Sequence, residues 1–370
     1  MTDFTPDDHL FMTQALRLAE HGLYTTMPNP RVGCVIVKDG KIIGEGAHLK
    51  AGTPHAEVHA LSQAGATAKG ATAYVTLEPC SHHGRTPPCA EALIKVGVAT
   101  VIIAMQDPNP LVAGQGVAML QAAGIQVSTG LMQQQAETLN AGFIKRMQQR
   151  MPLVRSKIAA SLDGKTALSN GISQWITGAA ARSDVQHWRA QSCAIMTGIG
   201  TVLQDNPSLT VRDVDIERQP LCVIVDSQLR MPLEAKVLSN QQVLIAFSAD
   251  SQHKAAQLTA MGVGLICIPD EAGKVCLKSL LSHLASMEVN EVMVEGGEGL
   301  NGALMALNLI DEFIIYYAPR LMGSDGKGMF ALPELQTMEA VVNLDIHDIR
   351  QFGRDIRILA KCAVSQRDDS

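Results

Sequence analysis

Thr53-Pro54-His55-Ala56-Glu57 and Leu77-Glu78-Pro79-Cys80-Ser81-His82-His83-Gly84-Arg85-Thr86-Pro87-Pro88-Cys89 are the stretches that decide how this chain is read. Each ends where a turn-rich segment meets an apolar periodic one, which is how a helix start looks in sequence. The spacing predicts one helix from His55 to about Gln63 and another from Cys89 to about Val96, with a strand over 71–77 between them. Working outward, an amphipathic helix is expected from Thr5 to about His21. Strands over 32–37 and 41–48, joined by Lys38-Asp39-Gly40, read as a hairpin. Strand 100–104, helix 115–122 and strand 125–128 complete the series. A hairpin followed by βαβαβ predicts a mixed sheet with helices on both faces.

The cationic stretch Lys145 to Arg150 reads as a helix end, and Met151-Pro152 then leads into a strand over 153–159. We therefore place the domain boundary near residue 149, with domains expected over 1–148 and 149–366. In the second, strands over 194–197, 221–225, 243–247, 264–268, 291–295 and 313–318 alternate with helices, which predicts a mostly parallel α/β sheet. Two domains also suit a chain of 370 residues. Hydrophobic residues at 46% against charged residues at 18% give core material enough to exclude a disordered chain. A net charge of −6 and an aromatic content of 4% disfavour a nucleic-acid partner. The acidic start MTDFTPDDHLFM lacks the pattern of a secretory leader, and the apolar run from Val98 to Met105 is far below the ~18 residues of a membrane span. Several of the eight cysteines fall inside apolar strands (Cys34, Cys222, Cys267), so a disulfide framework is not expected. A cytoplasmic protein without a membrane partner is the expectation.

His55, Cys80 and Cys89 offer one imidazole and two thiolates, three ligands for a tetrahedral zinc ion with the fourth position free for water. Zinc so held brings the pKa of that water to about 7. Helix N-termini favour the thiolate form of both cysteines. Glu57, two residues after His55, is placed to take a proton from the water and deliver it to a ring nitrogen and a departing amine. That is hydrolytic deamination of an aminated heterocycle. The general zinc-deaminase pattern is H-x-E…P-C-x-x-C; here eight residues separate the cysteines. A closed structural zinc with His82 or His83 as fourth ligand, or no metal at all, remain alternatives on these residues alone. The donor-rich loop with Arg85 suits a phosphate, and so a nucleotide-like substrate.

A second constellation lies late in the chain. Gly297-Glu298-Gly299-Leu300-Asn301-Gly302 follows a strand and opens a helix, matching G-x-G-x-x-G in the required context. The acidic residue expected about 20 positions on is missing, since Leu321 and Met322 stand there. The motif also arrives late in its domain. We therefore read a phosphate-binding glycine turn outside a Rossmann fold. A turn without a ligand is the alternative.

The segments TMPNPRVGCVIV, GAHLKAGTPHAE and PCSHHGRTPPC resemble the deaminase half of the bifunctional deaminase/reductase family of riboflavin biosynthesis, in which the long loop between the cysteines is the rule. KIAASLDGK, SQWIT, TVLQDNPSLTVR and VEGGEGLNGAL resemble its reductase half, in the family's order, so the resemblance spans nearly the whole chain. It implies a cytidine-deaminase-like three-layer αβα domain followed by a dihydrofolate-reductase-like α/β domain. It implies zinc on His55, Cys80 and Cys89, proton transfer by Glu57, and substrate contacts from Asn29, His48, Arg85, Asp107 and Asn109. In the second domain it implies NADPH against Ala159, Trp175, Thr201, Asp205, Ser227 and the turn Gly297, Glu298, Gly299, Leu300, Asn301, Gly302 and Ala303. Substrate would meet Ser173, Arg189, Leu209, Arg212 and Glu295, with Lys157 and Glu295 polarising or protonating the opening sugar.

The expected function is deamination of a phosphoribosyl diaminopyrimidine followed by NADPH-dependent reduction of its ribosyl group, in a homo-oligomer. A cytidine- or tRNA-directed deaminase fused to an unrelated module, and a non-catalytic zinc and nucleotide sensor, are the competing readings. The acidic balance and low aromatic content weigh against the first.

Overall fold

The computed structural model describes residues 4–81, 88–110 and 112–363. The chain divides into two compact units, Met1–Met151 and Pro152–Ser370.

In the first unit, helix α1 (Pro6–Glu20) starts at Thr5, whose hydroxyl accepts from the Asp8 backbone while Asp8 reaches back, a reciprocal capping box. Strands β1 (Gly33–Lys38) and β2 (Lys41–Ala47) form the hairpin. Helix α2 (Ala56–Ala64), β3 (Thr72–Val75), α3 (Cys89–Val96), β4 (Thr100–Ile103), α4 (Gln115–Ala122) and β5 (Gln126–Thr129) follow as expected, within a few residues at most ends. Two helices not anticipated as separate elements, α5 (Gln133–Leu139) and α6 (Ala141–Gln149), close the unit. The sheet order is β2-β1-β3-β4-β5, antiparallel through the first three strands and parallel through the last three.

Register shows why this is a three-layer unit. A Cβ on Gly33 would lie 1.9 Å from the Ala15 carbonyl oxygen of α1, and one on Gly46 would lie 2.1 Å from that of Ala56 in α2. Gly46 pairs with Cys34, the neighbour of Gly33. Paired residues share a face and neighbours alternate. Helices α1 and α2 therefore lie on opposite faces of the sheet, each drawn close by a missing side chain. The core between them holds Cys34, Ile36, Ala60, Leu93, Ile103 and Leu120, all fully buried.

The second unit begins with β6 (Leu153–Ser161) and α7 (Ala179–Gln191), then β7 (Ala194–Gly198), α8 (Ile199–Asp205), β8 (Leu221–Val225) and β9 (Val243–Phe247). Helix α9 (Ala255–Ala260), β10 (Gly264–Cys267), α10 (Leu277–Ser286), β11 (Glu291–Val294), α11 (Glu298–Ala306) and β12 (Glu312–Ala318) lead to a final hairpin, β13 (Leu344–Phe352) and β14 (Asp355–Cys362). The order β10-β9-β8-β7-β11-β6-β12-β14-β13 is parallel up to β12 and antiparallel beyond it. Uninterrupted apolar strands such as Leu221–Val225 fit a parallel layer buried on both faces. The order jumps between β7, β11 and β6, and their C-terminal ends open onto a crevice of the kind in which α/β sheets hold ligands. Among the described residues no helix is long and apolar enough to cross a membrane.

Candidate active sites

In the first unit His55 is the residue on which α2 starts and Cys89 is the first residue of α3, while Cys80 lies in the loop after β3. The fold therefore gathers all three at one end of the sheet. His55 Nδ1 is 3.2 Å from Cys89 Sγ and 3.6 Å from Cys80 Sγ, and the three donor atoms lie within 4.8 Å of one another. The Cys89 backbone N–H donates to Cys80 Sγ at 3.3 Å, so the start of α3 stabilises that thiolate. The hydrogen bond from Cys89, reinforced by His55, holds the Cys80 thiol well below its usual range against the cost of burial. Glu57, in the first turn of α2, is buried, touches the Cys89 thiol, and leaves Oε2 without a hydrogen-bond partner among the described residues. Burial raises its pKa above the usual carboxylate range. A soft donor set converging on one point beside an orphaned carboxylate oxygen fits zinc with one position left for a small polar ligand. The sealed alternative through His82 or His83, and the expected contact at Arg85, lie outside the described residues.

His48 is buried with its ring centroid 5.1 Å from that of His55; Nε2 lies 3.1 Å from Asn29 Nδ2 and Nδ1 3.3 Å from the Pro54 carbonyl. Burial lowers its pKa, which favours neutral imidazole. The structure thus brings Asn29 and His48 together beside a zinc-ligand candidate. Asp107 accepts from the Asn109 backbone N–H at 2.8 Å in a turn of their own.

Glu78, which we did not single out in the sequence, holds that turn in place. Its buried carboxylate accepts backbone N–H bonds from Asp107 (3.2 Å), Gly114 (3.0 Å), Gly116 (2.9 Å) and Val117 (3.2 Å). It thereby ties the segment carrying Asp107 and Asn109, and the start of α4, to the chain two residues before Cys80. An acid directly before Pro-Cys was the available signal, but its partners are backbone groups and leave no trace in side-chain identity.

The second unit encloses a cavity of about 890 Å³, within the range of ligand sites. On β6, Lys157 and Ala159 alternate with buried neighbours and both line it. Arg189 from α7 clamps Glu295, at the end of β11, through Nε (2.6 Å) and Nη2 (3.0 Å); Lys157 Nζ is 3.9 Å from the same carboxylate. Burial alone would raise the Glu295 pKa, but the charges of Arg189 and Lys157 outweigh it and hold the group at about 2. Lys157 is also lowered, but from the opposite cause: burial lowers its pKa more than Glu295 restores it. Arg189 also donates to the Thr210 carbonyl at 2.8 Å, fixing the segment of Leu209 and Arg212. Ser173 Oγ donates to Asp205 at 3.0 Å, joining an expected substrate contact to an expected cofactor contact. Trp175 is exposed at the cavity wall with the Arg182 guanidinium 4.7 Å from its ring.

Thr201, Ser227, Gly297, Glu298, Gly299, Leu300 and Ala303 also line the cavity. Helix α11 has no side-chain cap at Gly297, which leaves its first N–H groups available to an anion, and so the cavity fits a dinucleotide pyrophosphate. Asn301 and Gly302 do not line it. Asn301 is buried, bonded to Ser156 Oγ (3.1 Å) and the Gly296 carbonyl (3.2 Å), and a Cβ on Gly302 would lie 2.2 Å from the Ala331 carbonyl oxygen. Helical rotation turns these two motif positions into the core.

Both sites thus belong to known classes, a zinc-binding deaminase domain and a reductase domain. Residues 5–105 match the cytidine and deoxycytidylate deaminase zinc-binding region, and residues 152–358 match the RibD C-terminal domain. The riboflavin biosynthesis protein RibD of Escherichia coli is 49% identical, the match covering 94% of this chain and 98% of that protein. The protein of the same name from Haemophilus influenzae is 48% identical over 97% and 98%. Among solved structures, Acinetobacter baumannii RibD superposes with a TM-score of 0.91 at 48% identity, covering 97% of this chain and 99% of that one. A Thermotoga maritima diaminohydroxyphosphoribosylaminopyrimidine deaminase/5-amino-6-(5-phosphoribosylamino)uracil reductase gives 0.86 at 32% identity over 96% and 99%. The chain belongs to the RibD family of riboflavin-biosynthesis proteins and joins a zinc-type deaminase to an NADPH-type reductase.

Replacing Glu78 by Gln puts an amide NH2 among backbone donors and removes acceptors. It should raise the KM of deamination about tenfold with a smaller effect on kcat, leaving zinc content and reductase activity unchanged. Steady-state ammonia release together with metal analysis checks this.

Proposed function

We propose that the first unit deaminates 2,5-diamino-6-(5-phosphoribosylamino)pyrimidin-4(3H)-one and that the second reduces the product's ribosyl group to a ribityl chain. The product would be 5-amino-6-(5-phosphoribitylamino)uracil. The observation that carries the reading is the buried Glu57 carboxylate, which touches the thiol of Cys89, one of three converging donors, and whose Oε2 has no hydrogen-bond partner among the described residues. Zinc held by His55, Cys80 and Cys89 would supply Lewis acidity that makes a water a nucleophile near neutral pH. Glu57 receives the proton of the attacking water, passes it to the ring nitrogen, and assists departure of the exocyclic amine as ammonia. Its raised pKa suits a group that must both accept and release a proton near neutrality. Asn29 and neutral His48 orient the pyrimidine, and Asp107 and Asn109 bound the substrate on the side held by Glu78.

In the second unit NADPH, held in the cavity against Ala159 and the α11 start, would supply the hydride for reduction of the opened sugar. Lys157, with its lowered pKa, is the proton donor of this step, and Glu295, held ionised, positions it together with Arg189. This divides the two roles that the sequence leaves shared between Lys157 and Glu295. Arg189 and Arg212 offer guanidinium groups to the substrate phosphate, and Ser173 and Leu209 complete its pocket. Ala159, Trp175, Thr201, Asp205, Ser227 and the α11 start bound the dinucleotide. We read the protein as cytoplasmic, in keeping with eight cysteines that are all free. We read it as a homo-oligomer because β13 is an edge strand with Leu344, Ile346 and Ile349 exposed. Light scattering should give a mass above the 39.5 kDa of one chain, and a monomer mass would refute this.

Glu57→Gln should lower ammonia release at least a hundredfold while zinc stays bound and reduction of pre-deaminated substrate survives. Zinc removal should likewise stop only the first reaction. Retained deamination in either case contradicts the assignment. For the reductase, the protonated form of Lys157 is active, so kcat/KM should fall as pH rises through a value below the 10.5 of a free lysine. In Lys157→Arg that basic limb should move up or vanish. An unmoved limb assigns the proton elsewhere.

A further inference from the structure

The cavity of the second unit holds more cations than its chemistry uses. Lys157 and Arg189 meet Glu295, Arg212 contributes to holding that carboxylate ionised, and Arg182 lies against Trp175. Lys236 and Lys274 line the same cavity and are exposed, and neither ammonium has a carboxylate or hydrogen-bond partner among the described residues.

Their position follows from strand order. Lys157 and Ala159 lie on β6, the uncapped start of α11 follows β11, Thr201 lies on the helix after β7, and Ser227 follows β8. These strands are consecutive neighbours, β8-β7-β11-β6, so β6 and β8 are three steps or roughly 14 Å apart. A dinucleotide with its reactive ring over β6 and its pyrophosphate at α11 therefore carries its adenosine end toward β8.

That end is built firmly. Val275 N–H donates to Ser227 Oγ at 3.1 Å, and Ser248 Oγ donates to the Gly273 carbonyl at 2.6 Å. Asp270 closes the turn by accepting from the Ala272 N–H at 2.9 Å and the Lys274 N–H at 2.8 Å. Lys274 is thus presented one residue from the Ser227 contact. Lys236, in the segment after β8, has its backbone N–H fixed to Asn206 Oδ1 at 2.8 Å. Buried Val275 and Leu277 give this end an apolar wall for a flat ring. NADPH differs from NADH by one group, a phosphate on the adenosine ribose, and two ammonium groups without partners among the described residues, lining the same cavity as the Ser227 hydroxyl, match it in charge and donors.

We propose that Lys236 and Lys274 grip the ribose 2′-phosphate and make the reductase site select NADPH over NADH. The inference rests on the reading that this cavity holds the dinucleotide. It is tested by calorimetric titration of the full-length, zinc-loaded protein with NADPH and with NADH, in the absence of pyrimidine substrate. Wild-type protein should bind NADPH more tightly. The double variant Lys236→Gln/Lys274→Gln should bind NADPH about tenfold or more weakly and NADH within about twofold of wild type, with a shallower salt dependence for NADPH. An unchanged NADPH/NADH ratio in the double variant, or equal weakening of both, overturns the proposal. Failure of wild-type protein to bind either dinucleotide overturns the cavity assignment beneath it. Retained NADH binding by the double variant shows that the second unit is folded.

Discussion

A buried carboxylate oxygen without a partner is costly in a packed unit, and the first unit holds one that has none among the described residues, on a side chain that touches the Cys89 thiol. The other features of that site serve this arrangement. Helix α2 starts on His55, so Glu57 falls in its first turn; α3 starts on Cys89, so its first N–H reaches Cys80. Gly46, which lets α2 press onto its face of the sheet at Ala56, holds the start of that helix in place. A cation bound by the three donors relieves the crowding of negative charge that the bare site would carry.

The second unit solves a related problem without metal ligands. Glu295 is largely withdrawn from solvent, yet neighbouring cations keep it ionised, and in return it meets Arg189 and Lys157 at the cavity wall. One acid thus orients a guanidinium suited to phosphate and an amine suited to proton transfer. Both units use a buried carboxylate as an organiser, with opposite consequences for its charge: Glu57 is pushed toward the protonated form and Glu295 away from it.

What could be read from the sequence was whatever chemistry concentrates in short segments. His55, Glu57, Cys80 and Cys89 stand in two such stretches, and the fold brings His55, Cys80 and Cys89 to one point with Glu57 against the Cys89 thiol. The parallel strands were legible because buried strands read as unbroken apolar runs. Helix α5 was not, since QQQAETL buries only Ala136 and shows no apolar stripe. The β13–β14 hairpin was hidden by a register shift between Ile346 and Asp348, which breaks the two-residue alternation. Asn301 and Gly302 were grouped with the cofactor turn because a motif does not say which of its positions helical rotation turns inward. Glu78, Lys236 and Lys274 depend on backbone partners or strand order, which only the folded chain supplies.

The account turns on a single ion held by one nitrogen and two sulfur atoms of this chain, with a light ligand completing the shell. X-ray absorption at the zinc edge of the purified, full-length protein measures this directly. The expected shell contains two sulfur scatterers at about 2.3 Å, one imidazole nitrogen at about 2.0–2.1 Å and one further oxygen, at one ion per chain. A fourth scatterer with the multiple-scattering pattern of a second imidazole, or protein without stoichiometric zinc, would contradict it.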